Sequence, residues 1–574
     1  MNGSQTLLEQ LKILLDGGTV YELAVRYLLP LLALVVLGRC AWSLLLFRRE
    51  PEVWAWLTAP DGSRLPVTHW ETLLGRARSC DVVLHYPTIS RSHAVLTRYD
   101  DGSWSISDVG SKGGVEVNGQ PVTMEVVDYG DVICLGGVEF QLVPITKKQE
   151  AIQASVRTHA GDTVRPGITL LLLTLFQVLV SLQLLLRTEH FAQISSAFFL
   201  LMAAQWVLFG SMKALRRSGF EVETIAFFLT TLGMAVIASD SPAELTKQLI
   251  SIGAGLLLFL GLCIALRKLE RAKKLRYTAA VISLLLLAAN LAFGVELGGA
   301  KNWIYIGGMS FQPSELVKVC FILVGSSALQ RIMTKRNLFL FIAYSAVICG
   351  CLVLMNDFGT ALIFFTAFVV IAYMRSGSFA TVVLIFAAIA MAGMIALQFR
   401  PHMLSRFSAW GHVWENALTS GYQQTRAMMC IASGGLFGLG GGNGWLKYVA
   451  ASDTDLVFAF VAEEWGLLMA MLMVLAIVCL AAFVVRSASV GRSSFYTIGA
   501  CAVAAILMVQ TVLNVFGTVD LLPLTGVTLP FVSNGGSSMI ACWGLLAFIK
   551  AADTRQNASM AVKLPSQKEL SEEG

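Results

Sequence analysis

A polytopic α-helical membrane protein of about 12–13 spans, with one all-β sandwich inserted near its N-terminus, is the fold class this 574-residue sequence predicts. Three observations predict it. Hydrophobic residues make up 56% of the chain and charged residues 14%, where soluble proteins carry roughly 25% charge. Apolar windows of about 20 residues, long enough to cross a bilayer, recur along the chain. One long polar stretch, residues 51–146, interrupts them.

The first window, 24–47, closes an N-terminal anchor of residues 1–50. Met1–Ala24 has no basic leader, and Arg48 and Arg49 come after the apolar run, so the segment reads as an anchor rather than a cleaved signal. Its N-terminus is expected outside. In residues 51–146, short alternating segments such as Val82–His85, His93–Thr97, Trp104–Ser107 and Val138–Val143 are separated by Asp-Gly, Gly-Gly and Asn-Gly turns. That is an all-β pattern. Residues 147–166 are a polar linker.

The remaining windows fall in a body of residues 167–551: near 167–187, 191–212, 220–239, 246–266, 277–294, 313–331 and 337–355. Further windows lie near 359–376, 379–397, 456–486, 494–520 and 536–551. A polar tail, 552–574, closes the chain. Lys and Arg occupy every second loop: Lys213 to Arg217, Arg267 to Arg276, Arg331 to Arg336, Arg375, then Arg486 and Arg492, and Lys550, Arg555 and Lys563 in the tail. Basic residues favour cytoplasmic loops. The β domain is therefore expected inside, and the loops 295–312, 398–454 and 521–535 outside.

Eleven cysteines without a C-x-x-C pair indicate neither a disulfide framework nor a zinc site. No H-E-x-x-H or Walker A motif is present, and His402 and His412 have no evident ligand partners. The expected surroundings include membrane lipids and no nucleic acid.

Chemistry concentrates in the outer loops. Pro523 to Ser538 reads PLTGVTLPFVSNGGSS between two apolar segments. Its prolines and paired glycines cannot continue a helix, and irregular backbone at membrane depth survives only where it lines a cavity or is covered by protein. Upstream, Gly299-Ala300-Lys301-Asn302-Trp303-Ile304 precedes Gln312-Pro313-Ser314-Glu315, with Lys318 three residues beyond Glu315 on one helix face. Asn356-Asp357-Phe358-Gly359-Thr360 follows another span. The large loop holds Tyr422-Gln423 and glycines from Gly434 to Gly444. Asp453-Thr454-Asp455-Leu456 and Glu463-Glu464-Trp465-Gly466 follow it.

These four elements, in the family's order along the chain and all on the outward face, resemble the signatures of the SEDS family (shape, elongation, division and sporulation) of peptidoglycan polymerases. The resemblance implies glycosyl transfer from lipid II. It makes Asp455 the base, or the holder of a divalent cation, Mg²⁺ or Mn²⁺, with Glu315 and Lys318 beside it. It makes Lys318, Lys301 and the glycine tract contacts for the lipid diphosphate, with Trp303 packing lipid or sugar. Gln312, Asp357, Tyr422, Gln423, Ser533, Gly535, Gly536 and Ser537 complete the implied substrate site. A class B penicillin-binding protein is the implied partner.

Structural readings stand beside these. Glu315 and Lys318 also fit a buried ion pair, Asp357 and Asp455 fit helix caps, and the glycine tract fits a plain flexible loop. Asn302 stands where the family has an Arg, Met355-Asn356 replace the acid or amide and the proline before Asp357, and Asn534 replaces a Tyr. A lipid-carrier transporter or a non-catalytic division scaffold is the alternative function.

Residues 51–146 resemble a forkhead-associated (FHA) domain. Gly75-Arg76, Ser90-Arg91-Ser92-His93, Asp108-Val109-Gly110-Ser111, Val117-Asn118-Gly119 and Gly130-Asp131 carry the likeness. It implies binding of a threonine-phosphorylated protein through Arg76, Ser90, Arg91 and Asn118, with His93 as scaffold. The family's turn Asn is Gly113 here, so a purely structural module is the alternative.

Overall fold

The computed structural model describes residues 18–46, 51–146, 164–186, 190–328, 335–376 and 410–555, apart from isolated positions inside these ranges and a few outside them. The helices are Gly18–Leu45 (α1), Pro166–Leu185 (α2), Phe191–Ala214 (α3), Glu221–Asp240 (α4), Leu245–Leu266 (α5), Leu269–Phe293 (α6) and Pro313–Ala328 (α7). After them come Lys335–Leu354 (α8), Phe358–Ser376 (α9), Tyr422–Gly434 (α10), Val457–Glu464 (α11), Leu467–Ala488 (α12), Ser494–Thr518 (α13) and Gly536–Ala552 (α14).

Among the described residues nine helices are long and apolar enough to cross a membrane: α1 to α6, α9, α12 and α13. Three more of the expected windows are α7 and α14, of 16 and 17 residues, and α8, whose apolar part is Phe339–Leu354. The window 379–397 lies outside the described residues. Helix α4 is central, buried from Glu221 through Ala238, and the apolar core gathers around it from every side.

The window 456–486 is not one helix. It breaks after α11 at Trp465-Gly466, where Gly466 has φ +93°. A Cβ there would strike the Leu436 carbonyl and the Phe437 backbone. The large loop is packed so tightly against the break that only glycine fits.

Residues 55–144 form a two-sheet sandwich. The strands are Ala55–Thr58 (β1), Arg64–Val67 (β2), Glu71–Gly75 (β3), Val82–Val83 (β4), Ala94–Arg98 (β5) and Trp104–Asp108 (β6), then Val115–Val117 (β7), Gln120–Val122 (β8), Met124–Val127 (β9), Val132–Leu135 (β10) and Val138–Pro144 (β11). One sheet runs β2-β1-β11-β10-β7-β8 and the other β4-β3-β5-β6-β9. Their alternating inward residues, among them Leu57, Leu74, Leu96, Trp104, Ile133 and Phe140, make a second core. The strand patterns expected from sequence hold to within a residue or two.

The sandwich is docked on the helical body. The Trp70 amide donates to the Arg492 carbonyl (2.6 Å), and the Arg492 guanidinium pairs with Glu52 (2.5 Å), both side chains buried. Ser494 Oγ donates to Glu71 (3.0 Å). Trp54, Trp70 and Tyr496 form successive edge-to-face ring contacts, and the Arg98 guanidinium lies over Trp54. The β domain thus sits on the membrane face that carries the Arg486–Arg492 loop, as the basic-loop pattern predicts. Arg492 also donates to the Thr554 carbonyl. The buried cluster Arg555, Asp553 and Glu221 extends the packed body through Arg555, past the expected boundary at residue 551.

Candidate active site

On the opposite face, residues 295–312 are a three-stranded antiparallel sheet: Val295–Leu297 (β12), Ala300–Ile306 (β13) and Met309–Phe311 (β14). It delivers Gln312 to the start of α7. The Gln312 amide donates to Ser537 Oγ at the start of α14 (2.8 Å), so the first and last of the four motifs are in contact.

Asp455 lies in the turn before α11 and is partly exposed. Leu456 stands at the N-cap of that helix, with Asp455 one residue before it. The Asp455 backbone is clamped. Its carbonyl accepts from Asn514 Nδ2 (3.0 Å) and from Thr518 Oγ1 (3.5 Å), one turn apart on α13. The same Asn514 amide donates to the Val527 carbonyl (2.9 Å). The clamp therefore ties Asp455 to the Pro-Gly loop, and a Cβ at Gly526 would lie 3.4 Å from Asp455 Oδ2. Gly526 has φ +69° and leaves the carboxylate room.

The loop's other end adds two ties. Ser533 Oγ donates to the Thr454 carbonyl (2.5 Å) and accepts from the Leu529 amide (2.8 Å). The Asn534 side-chain amide bridges Asp453 (2.7 Å) and Glu244 (2.8 Å). Burial pushes the Asp453 carboxyl up, against the pull of that amide. Gly535 is the N-cap of α14. A Cβ on Gly536 would come 2.7 Å from Ser251 Oγ, so this glycine serves close packing.

Asp357 stands near the same loop, since a Cβ at neighbouring Gly359 would meet the Thr525 carbonyl at 3.2 Å. It does cap its helix: Oδ1 accepts from the Thr360 amide (3.1 Å). Its Oδ2 accepts from Asn302 Nδ2 (3.1 Å) and Gln312 Nε2 (3.3 Å). Asn302, in the place of a family Arg, thus holds Asp357 with a neutral amide. Among the described residues, Asn302 Oδ1, Ser314 Oγ, Asn514 Oδ1 and Thr525 Oγ1 are buried without a hydrogen-bond partner. Such groups suit a polyhydroxylated ligand or ordered water.

Several expected roles change. Glu315 and Lys318 form a buried pair, with Lys318 Nζ 2.7 Å from both carboxylate oxygens, so the structural reading of an ion pair within one helix accounts for both. Lys301 donates to the Leu291 carbonyl near the end of α6 (2.7 Å). A cation there complements the helix dipole. The glycine tract is not a phosphate cradle either. The amides of Gly444, Trp445 and Leu446 donate to the carboxylates of Glu464 and Glu463. A Cβ on Gly438 would strike the Glu464 carbonyl. The anion these amides hold is the protein's own.

Trp303 is half-buried in β13, Tyr422 is exposed at the start of α10, and Gln423 donates to the Ala450 carbonyl in the loop before Asp455 (2.8 Å). His402 lies outside the described residues. His412 is exposed beside Glu415.

In the β domain, Arg76 and Arg91 are exposed and Ser90 is half-buried. Ser90 Oγ accepts from the Lys112 amide (3.0 Å). His93 is scaffold, as expected: Nδ1 accepts from the Ser90 amide, and Nε2 contacts the Gly114 carbonyl (2.9 Å). Asn118, at φ +50°, donates to Asp131 and accepts from the Val132 amide, which fixes the β7–β8 turn.

Sequence reasoning missed Asn514 and Thr518. Their signal was present, an amide and a hydroxyl four residues apart inside an apolar run, but such residues also serve simple helix packing. It also missed the Asn534 bridge, whose partner Glu244 is 290 residues away.

Comparison with known proteins accounts for this assembly. Residues 224–558 match the family model for cell cycle proteins of the FtsW/RodA/SpoVE type, and residues 72–136 match the FHA domain. The peptidoglycan glycosyltransferase RodA of Mycobacterium tuberculosis is 32% identical over 275 residues, 44% of this chain and 58% of that protein. The chain therefore spans less than two thirds of that relative's length. The probable peptidoglycan glycosyltransferase FtsW of Bacillus subtilis is 30% identical over 353 residues, 57% of this chain and 83% of that protein. A solved structure, described as structural coordination of polymerization and crosslinking by a peptidoglycan synthase complex, is 27% identical. It covers 59% of this chain and 98% of its own, with a TM-score of 0.51. Helices α1 to α3 precede the matched region. The chain belongs to the FtsW/RodA/SpoVE family of multi-pass proteins of the bacterial cytoplasmic membrane, and carries an FHA domain between its first two spans.

Proposed function

We propose that this protein is a peptidoglycan glycosyltransferase that polymerises lipid II on the outer face of the membrane, with a class B penicillin-binding protein as cross-linking partner. One observation carries the reading. Asp455, at the family's catalytic position, is a partly exposed carboxylate whose backbone is fixed by Asn514 and Thr518 and whose side chain faces glycine.

In the reaction a glycosidic bond forms between an acceptor hydroxyl and the donor's anomeric carbon. The bond from that carbon to the lipid diphosphate breaks, and the electron pair leaves with the diphosphate. Asp455 takes the hydroxyl proton, which raises the nucleophile's reactivity. The clamp holds the carboxylate in one place, and such positioning is where much of an enzyme's rate advantage originates. Asp357, held by Asn302 and Gln312, stands beside the same loop and suits contacts to sugar hydroxyls and amides.

Among the described residues no group of three His, Cys, Asp or Glu could cage a metal ion. The donor set instead fits a Mg²⁺ or Mn²⁺ ion of the kind held by one carboxylate and substrate phosphates. Asp455 would hold it, and it would supply neutralising charge at the diphosphate. The FHA domain, on the cytoplasmic side, binds a threonine-phosphorylated protein through Arg76 and Ser90 and places synthesis under kinase control.

The test is lipid II polymerisation by the purified protein, with and without its partner and with added Mg²⁺ or Mn²⁺. Glycan product that depends on Asp455 supports the reading. Lipid II translocation without polymer would replace it with the transporter.

A further inference from the structure

We propose that the exposed edge of the FHA domain around Ser90 selects a phosphothreonine peptide with acidic residues beside the phosphothreonine, so that charge replaces the usual amide grip on the peptide backbone. The proposal rests on the phosphothreonine reading above and specifies its ligand.

Sterics remove the amide. A Cβ at Gly113 would lie 2.7 Å from Gly136 Cα, and one at Gly136, which has φ +58°, would lie 2.8 Å from the Thr88 carbonyl. Three backbone segments are packed together there, and an Asn at 113 has no room. The hold on the peptide that such a side chain supplies must come from elsewhere.

The charge pattern supplies it. Residues 51–146 contain six Lys and Arg against twelve Asp and Glu, a net of −6. Four of the six cations are gathered at one edge: Arg76, Arg78, Arg91 and Lys112. Short backbone contacts join their loops, from the Arg76 amide to the Ser90 carbonyl and from the Ala77 amide to the Arg91 carbonyl, both 3.0 Å. The Lys112 amide reaches Ser90 Oγ, also at 3.0 Å. All four side chains are exposed, and among the described residues none has a carboxylate within ion-pair distance.

A phosphothreonine brings about −1.5 to −2 charges. Four unneutralised cations exceed that, so the surplus is available to flanking carboxylates. The acidic remainder of the domain repels the same peptide and steers it to this edge. Anionic lipid is the less fitting occupant. Trp70 and Glu71, which contact the helical body, lie at the start of β3, and Arg76 follows its far end.

The test uses the full chain in nanodiscs of zwitterionic lipid and fluorescence anisotropy with three labelled peptides. One carries phosphothreonine with Asp and Glu flanks, one phosphothreonine with Ser and Gln flanks, and one unphosphorylated Thr with acidic flanks. The acidic phosphopeptide should bind about tenfold tighter than the neutral one, the combined effect of two or three exposed charge pairs. In about 1 M salt, where the screening length is about 3 Å, the two should converge. The double variant Arg78→Ala, Lys112→Ala should level them at low salt. Equal affinity for both phosphopeptides in the parent overturns this proposal and leaves phosphothreonine binding standing. Failure of both to bind, or equal binding of the unphosphorylated acidic peptide, overturns phosphothreonine recognition itself. Loss of peptide binding when anionic lipid replaces zwitterionic lipid assigns the edge to the membrane and overturns the proposal as well.

Discussion

The two faces of the membrane body handle buried carboxylates in opposite ways. On the cytoplasmic face they are matched with cations: Glu52 with Arg492, Glu221 and Asp553 with Arg555, and Glu223 with Lys550. On the outer face several are held by neutral donors. Asp357 has two side-chain amides and a backbone amide, Asp453 has the Asn534 amide, and Glu463 and Glu464 have backbone amides from the glycine tract. The Glu315–Lys318 pair is the outer exception, buried within α7. A carboxylate fixed by a cation is a structural tie. One held only by neutral donors has no cation to offset burial, so carboxyls such as Asp453 are pushed up and retain a capacity for a proton or an added cation, which suits a face that meets a substrate.

The comparison can be broken at four points. The largest effect is expected for Asp455→Asn, which should lower polymerisation by about 10²–10⁴-fold with the fold intact. Near-parental polymer yield from this variant would move the base to Asp357. On the other face, Arg492→Ala removes a guanidinium from a buried carboxylate, a change worth about 3–5 kcal/mol. It should undock the β domain, seen as faster hydrogen exchange at residues 70–75 and 492–496, while detergent-solubilised protein keeps its glycan chemistry. Unchanged exchange would show that the ring contacts alone hold the domain.

Asn514→Ala should cost about 1–3 kcal/mol, read as a fall in kcat with KM nearly constant, because it loosens the Asp455 carbonyl and the Val527 carbonyl together. A change confined to KM would make Asn514 a substrate contact. The smallest effect is expected for Lys301→Ala. Loss of a cation at a helix end is worth about 0.3–1 kcal/mol, visible as a slight drop in thermal stability. A large loss of diphosphate affinity in that variant would restore Lys301 to the substrate site.

The legible parts of this molecule are those with a period. Alternation at Trp104–Ser107 and Val138–Val143 marked strands, and apolar runs marked spans. The break at Trp465-Gly466 was hidden because both flanking segments are apolar and the cause lies in Leu436 and Phe437, on another element. The site's acids could be found from their motifs, but their partners could not. Glycines 438 and 444 look the same in sequence whether they cradle a ligand or make room for Glu463 and Glu464. The difference is tertiary.

The docking of the β domain also sets an order of events in biogenesis. Glu52, Trp54 and Trp70 leave the ribosome early, whereas Arg492, Ser494 and Tyr496 follow about 350 residues after the sandwich is complete, and at about 5–20 residues per second that interval is about 20–70 s. For that time the finished sandwich hangs from α1 with the face that meets the helical body uncovered, Trp70 included, within reach of chaperones and proteases. Its latch can close only once α12 and α13 are inserted. The Trp54–Trp70–Tyr496 contact therefore works as a completion mark, and quality control that recognises bare tryptophan would distinguish half-made chains from finished ones.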